Sequence, residues 1–85
     1  MNTRIEQTIL RKLLTDDEFM RKVLPFIKAE YFEGPYKTLF KEAGKFVGKY
    51  NKLPTAEAFK IEIDNADSFN EEQYRHAVEI IPNLF

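Results

Sequence analysis

One histidine, His76, and fourteen carboxylates are the side chains of this 85-residue chain that could move protons or hold a metal. There is no cysteine and no second histidine, so thiolate chemistry, disulfide staples and Cys/His zinc sites are excluded. His76 is therefore expected as a solvated imidazole rather than a ligand or a general base. Asp16, Asp17 and Glu18, and further on Glu71 and Glu72, fall where helices should begin. Carboxylates there satisfy free N–H groups and face the positive end of the helix dipole, so capping explains them better than acid–base work. No G-x-x-x-x-G-K-S/T run occurs, which removes a P-loop for a triphosphate. What remains suits contact rather than catalysis. It is a lysine stripe, Lys37, Lys41, Lys45 and Lys49, beside a Gly44-x-x-x-Gly48 pair.

Those residues share one stretch, residues 35–51, around which the rest of the chain is organised. On a helical projection Tyr36, Leu39, Phe40, Ala43, Phe46, Val47 and Tyr50 fall in one arc of roughly 120°, with the lysines opposite. Gly44 and Gly48 lie at the edge of the arc. Each mid-helix glycine costs roughly 1 kcal/mol relative to alanine, so a close backbone approach is the expected cause. A single helix cannot bury that face. The shorter segments must wrap it.

Ile5, Ile9 and Leu13, widened by Leu10 and Leu14, predict a first helix over residues 4–14, with Thr3 and Glu6 as a capping box. Phe19, Met20, Val23, Phe26 and Ile27 continue at helical spacing, but Pro25 should kink or end that helix near Leu24. The connector over residues 29–34 is too apolar for a free loop, and Phe32 is expected to plug the core. Gly34 turns the chain and Pro35 suits a first helical position. Leu53 before Pro54 is pushed extended, and Thr55 suits the cap of the next segment. That segment, residues 56–64, reads either as an alternating strand or as a helix. A lone strand has no partner, so a helix is expected. Residues 65–70 form a loop, and a last helix runs from Glu71 to its terminator Pro82. The apolar Leu84 and Phe85 look cut rather than finished.

The predicted fold is all-α: one domain over residues 1–85, a compact orthogonal bundle of about five short helices around the central one. Its expected core is Ile9, Leu13, Val23, Phe32, Leu39, Phe40, Ala43, Val47 and Phe59. A chain this short buries only about 60 % of its unfolded surface; eight Phe and four Tyr compensate with bulk. No apolar run approaches the roughly 18 residues of a membrane span, so a cytoplasmic domain without membrane contact is expected. The net charge of −1 hides an asymmetry. Residues 34–52 hold five lysines against Glu42, whereas residues 56–85 hold seven acids against Lys60 and Arg75. Opposite blocks favour oriented association with copies or partners over coating DNA.

The order of these residues is also familiar. Glu6, Ile9, Leu10, Leu13, Leu14 and Asp16, then Val23, then Glu30, Tyr31 and Phe32, then Tyr36, Lys37, Leu39 and Phe40, then residues 51–55 resemble the N-terminal domain of DnaB-type replicative helicases, most closely those of T4-like bacteriophages. The resemblance covers about residues 5–59. Tyr36 and Lys37 stand where the family usually has His-Arg, Tyr31 replaces an Asp, and Lys52 stands where bacterial members tend to have Gly. The resemblance implies a non-catalytic collar domain, a piece of a longer helicase or a stand-alone relative. It also implies self-association, as a dimer alone and a hexamer in the parent, and contacts with primase and the helicase loader. DNA would be met only through the parent ring, and ATP and Mg would belong to the absent ATPase domain, leaving this chain without a cofactor. Lys37, Lys41, Gly44, Lys45 and Gly48 are the expected partner surface. The competing reading is a phage regulator: a helix-turn-helix DNA-binding module with the central helix in the groove, or a binder of a host protein.

Overall fold

A computed structural model describes residues 3–67 and 69–85, with only the backbone of Thr3. Five α-helices succeed one another: α1 (Thr3–Thr15), α2 (Asp17–Val23), α3 (Pro35–Tyr50), α4 (Ala56–Asp64) and α5 (Glu71–Ile80). Short 3₁₀ turns occupy Leu24–Phe26, Ala29–Tyr31 and Ile81–Asn83, and no strand occurs among the described residues. The fold is all-α, and α3 is its hub. It packs against α1, α4, α5 and the Ala29–Tyr31 turn, while α2 packs on α1.

The helix boundaries obey local chemistry. Asp16 Oδ1 accepts from the Phe19 N–H at 3.0 Å and starts α2. Pro25 cannot donate to the ladder, so α2 stops at Val23 and the chain tightens into a 3₁₀ turn. Gly34, at φ +56°, adopts a backbone that side chains disfavour, and Pro35 then opens α3. Asn51 ends α3 in the left-handed region, its N–H donating to the Val47 carbonyl at 2.7 Å. Arg21 from α2 donates to the Asn51 carbonyl at 3.1 Å and ties the two helix ends together. Thr55 Oγ1 caps α4 through the Ala58 N–H at 3.0 Å. Asn70 and Gln73 form a reciprocal capping box at the start of α5.

The core joins Leu10, Leu13 and Leu14 of α1, Phe32 of the connector, Tyr36, Leu39, Phe40 and Ala43 of α3, Phe59 and Ile63 of α4, and Ala77, Ile81 and Leu84. Ile9 and Val23 are half-buried against it, and Val47 is half-buried. Phe32 stacks on Phe40 with ring centroids 4.9 Å apart. In α4 the spacing of Phe59 and Ile63, both fully buried, is helical, with Ile61 turned outward. Leu84 is also fully buried and Phe85 tilts against Phe59 at 5.9 Å, so this apolar end is packed against the core.

Two expectations are corrected. The inward face of α1 is Glu6, Leu10, Leu13 and Leu14, and Ile5 is 52 % exposed, so the helix is rotated away from the Ile5–Ile9 stripe. The inward face of α3 is turned toward Glu42, which is buried, leaving Val47 at the margin and Tyr50 exposed. The Thr3–Glu6 capping box lies outside the described residues, but Glu6 has a tertiary role that the sequence did not suggest. Its carboxylate crosses to the connector and accepts the Glu33 backbone N–H at 2.6 Å. Thr3 is already helical, and its side chain lies outside the described residues, as does Ser68 of the 65–70 loop.

Candidate interaction surfaces

The groups able to do acid–base or metal chemistry are spent on structure or on water. His76 is exposed, and among the described residues no group of three or more His, Cys, Asp or Glu could hold a metal ion. The Phe19 N–H, and then Lys12, hold the Asp16 carboxyl below its ordinary value. Asp64 is held low by the Tyr74 hydroxyl first, which donates to it across the α4–α5 junction, with Lys60 adding charge. Burial and the nearby Glu6 carboxylate push Tyr36 up; its hydroxyl meets Gln7 Oε1 at 3.2 Å. Each perturbed group has a local structural partner.

The lysine stripe faces solvent. Lys37, Lys41 and Lys45 are exposed on α3, and Lys45 Nζ donates to Glu42 Oε1 at 3.2 Å. Gly44 is half-buried and Gly48 exposed. A Cβ placed at either glycine would have no neighbour within 4 Å, apart from its own helix and chain neighbours. No internal element therefore needs these glycines: neither α1 nor the Phe32 connector approaches them. The edge they form is open.

Two apolar grooves went unread in the sequence. The first, about 460 Å³, lies between the C-terminal half of α3 and α4 and is lined by Phe46, Tyr50, Leu53, Ala58 and Ile61, with Lys52 and Glu62 on its rim. Phe46 is buried as its floor, its ring 4.6 Å from that of Tyr50. Tyr50 is 43 % and Ile61 58 % exposed, although both are large and apolar. Lys49 Nζ stands 5.1 Å from the Tyr50 ring centroid. The Tyr50 hydroxyl, and after it the Glu62 carboxylate, hold the Lys49 ammonium above its ordinary value. Lys52, just past the end of α3, and Glu62 of α4 thus line one groove, and Lys49 lies near Glu62 within the same molecule. The second, about 450 Å³, lies on α1 and α2 between Ile9 and Phe19, with Thr8, Arg11, Lys12 and Thr15. Ile61 carried the one signal available beforehand: on a helix it falls off the Phe59–Ile63 face and has nothing to bury it.

Residues 24–34 separate α2 from α3 and contain two 3₁₀ turns, far more than the three- or four-residue turn of a helix-turn-helix unit. With Tyr36, Leu39 and Phe40 buried, the start of α3 is committed to the core.

No protein-family model matches the chain. A DnaB-like replicative helicase of Enterobacteria phage T4 is 34 % identical to it over 79 residues. Those residues are 92 % of this chain but 16 % of that relative, so the chain spans about one sixth of the helicase it matches. The chain is thus related by sequence to the DnaB-type replicative helicases, and its all-helical fold is consistent with their N-terminal domain.

Proposed function

We propose that this chain is a non-catalytic assembly domain of a replicative DNA helicase, acting in DNA replication through contacts with its own copies and with primase or the helicase loader. The observation that carries this is the match itself: nearly the whole chain is related to a small part of a phage replicative helicase. Strand separation and ATP hydrolysis, with ATP and Mg, then belong to the rest of such a protein, and DNA is met only through the assembled ring. The work takes place in the cytoplasm of the host cell.

The open glycine edge of α3 supports a contact between copies. Lys37 and Lys41, on the same side of α3 as Gly44 and Gly48, carry charge of one sign, so two such edges repel each other. The complementary surface is the acidic C-terminal third of a neighbouring copy, with Glu71, Glu72 and Glu79 exposed on α5. Such a head-to-tail contact joins unlike surfaces and can close a ring.

The test immobilises this chain and passes over it the chain itself and the primase and loader of the same replication system. Binding by at least one of them, weakened by Lys37→Glu with Lys41→Glu, is expected. Absence of binding to all three at concentrations near 1 mM defeats the reading.

A further inference from the structure

The charged side chains of α1 and α2 are engaged within the chain, with one exception. Lys12 Nζ lies 3.2 Å from Asp16 Oδ2, Arg21 Nε 2.9 Å from Asp17 Oδ2, and Lys22 Nζ 2.9 Å from Glu18 Oε1. Glu6 is taken up by the Glu33 N–H. Arg11 is exposed, and its guanidinium has no ion pair or hydrogen bond among the described residues. It lines the α1–α2 groove together with Ile9 and Phe19. The other polar groups of that lining are committed. The Thr8 and Thr15 hydroxyls donate to the Arg4 and Arg11 carbonyls at 2.9 and 2.7 Å, and Lys12 is held by Asp16. What the groove offers an occupant is therefore apolar surface beside one uncommitted cation. The α3–α4 groove offers no such preference, because Lys52 and Glu62 both line it.

We propose that the α1–α2 groove docks a helix of a partner protein that presents apolar side chains with a carboxylate beside them. The apolar side chains enter between Ile9 and Phe19, and the carboxylate meets Arg11. A guanidinium offers a carboxylate two parallel N–H donors, which fixes the register of the helix as well as its sign of charge. The groove, about 450 Å³, falls within the ~300–1,000 Å³ of clefts that enclose a ligand. Two short helices with an apolar furrow between them suit an amphipathic helix laid in with its apolar face down. A nucleic-acid strand is the poorer occupant: its phosphates are met by several cations at once, and one is free here. A helix flanked by lysines is repelled by Arg11. This goes beyond the assembly role inferred above, and it holds or fails independently of that role and of the glycine edge on α3.

The experiment titrates the isotope-labelled 85-residue chain with capped synthetic peptides and follows its amide resonances. The first peptide, about 14 residues long, carries leucine at i, i+3, i+4 and i+7 and glutamate on the flanking positions. A second has lysine in place of each glutamate, a third serine in place of each leucine, and a thymidine oligonucleotide serves as the fourth probe. The first peptide should shift the Thr8, Arg11, Lys12 and Phe19 amides saturably, with a dissociation constant below about 1 mM. The second and third should bind at least about tenfold more weakly. Arg11→Glu should weaken the first peptide about tenfold and favour the second by a similar factor. Arg11 is exposed and unpaired, so this variant should keep the wild-type amide pattern away from the groove, and Arg11→Gln, which removes the charge alone, should fall between the two. No shift at millimolar peptide overturns the proposal. So do equal binding of the first two peptides, full binding of the third, shifts centred on Tyr50 and Ile61, or tighter binding of the oligonucleotide at the same amides.

Discussion

Glu6 is the residue on which the placement of the connector depends. It is 1 % exposed, and its carboxylate accepts the N–H of Glu33, 27 residues away, at 2.6 Å. That bond fixes the chain immediately after Phe32 and before the Gly34 turn. Replacing Glu6 by leucine keeps most of the bulk and removes a buried charge, but leaves a backbone N–H without its acceptor. Glu33 is exposed and the bond is part-buried, so water can reach the freed N–H, and the loss is that of a bond to a charged acceptor, about 1.5–3 kcal/mol. Against this stands the gain from burying an apolar side chain in place of a carboxylate, which offsets part of the loss. The net expectation for Glu6→Leu is a destabilisation of about 2 kcal/mol. Glu6→Gln keeps the acceptor oxygen and loses its charge, so about 1 kcal/mol is expected. For a domain of this size, with a total of roughly 4–13 kcal/mol, either change is measurable. Urea unfolding monitored by circular dichroism reads both; with a slope near 1 kcal/mol/M the leucine variant's midpoint falls by about 2 M. Hydrogen exchange at the Glu33 amide should accelerate in the same variant. A leucine variant as stable as the wild type, or more stable, would refute the reasoning, because it would make position 6 an ordinary core site.

The same packing carries further expectations. Phe32→Ala removes a ring buried against Phe40 and should cost about 3–5 kcal/mol, seen as a loss of most of the urea transition. Gly44→Leu with Gly48→Leu meets open space, so helical content should hold and the melting temperature should not fall; unfolding of the pair would mean that an internal element does lie against that edge. Asp16 and Asp64 have folded-state pKa values below the ordinary 3.8. Their contribution is present above that value and is lost as pH falls through the lower folded values, so stability should decline below about pH 4. Asp16→Asn with Asp64→Asn should flatten that decline in an acid titration. Burial raises Tyr36 with the opposite sign: its contribution is complete below pH 10 and fades as pH rises beyond it, which Tyr36→Phe should abolish in an alkaline melt.

The helices were legible because each announces itself twice, by spacing and by an end signal. Pro35 and Asn51 bound α3, Thr55 starts α4, and Glu71 with Glu72 opens α5, whose Asn70 cap was read only as loop. The rotation of α1 was not legible. Ile5–Ile9–Leu13 and Leu10–Leu13–Leu14 both satisfy a helical period, and the choice falls to a tertiary bond from Glu6 that no local pattern encodes. The same holds for the exposed Tyr50: its angle on α3 is apolar, but α4 leaves that turn uncovered. A groove is harder still, because Phe46, Leu53 and Ile61 become neighbours only after the Asn51 turn folds α4 back. The lysine stripe and the glycine pair could be read directly, since a helical wheel shows faces. Within the chain no element approaches either glycine, and the periodicity does not say what that edge is for.

The most direct test is a graft. This chain replaces the matched 79-residue segment in the phage T4 relative, and mass photometry with ATP present counts subunits per particle. An assembly domain should give closed oligomers of the same size as the parent's, with primase still recruited. Its charge-reversed form, Lys37→Glu with Lys41→Glu, should give smaller particles. A graft that assembles no better than the helicase with that segment deleted would contradict the account.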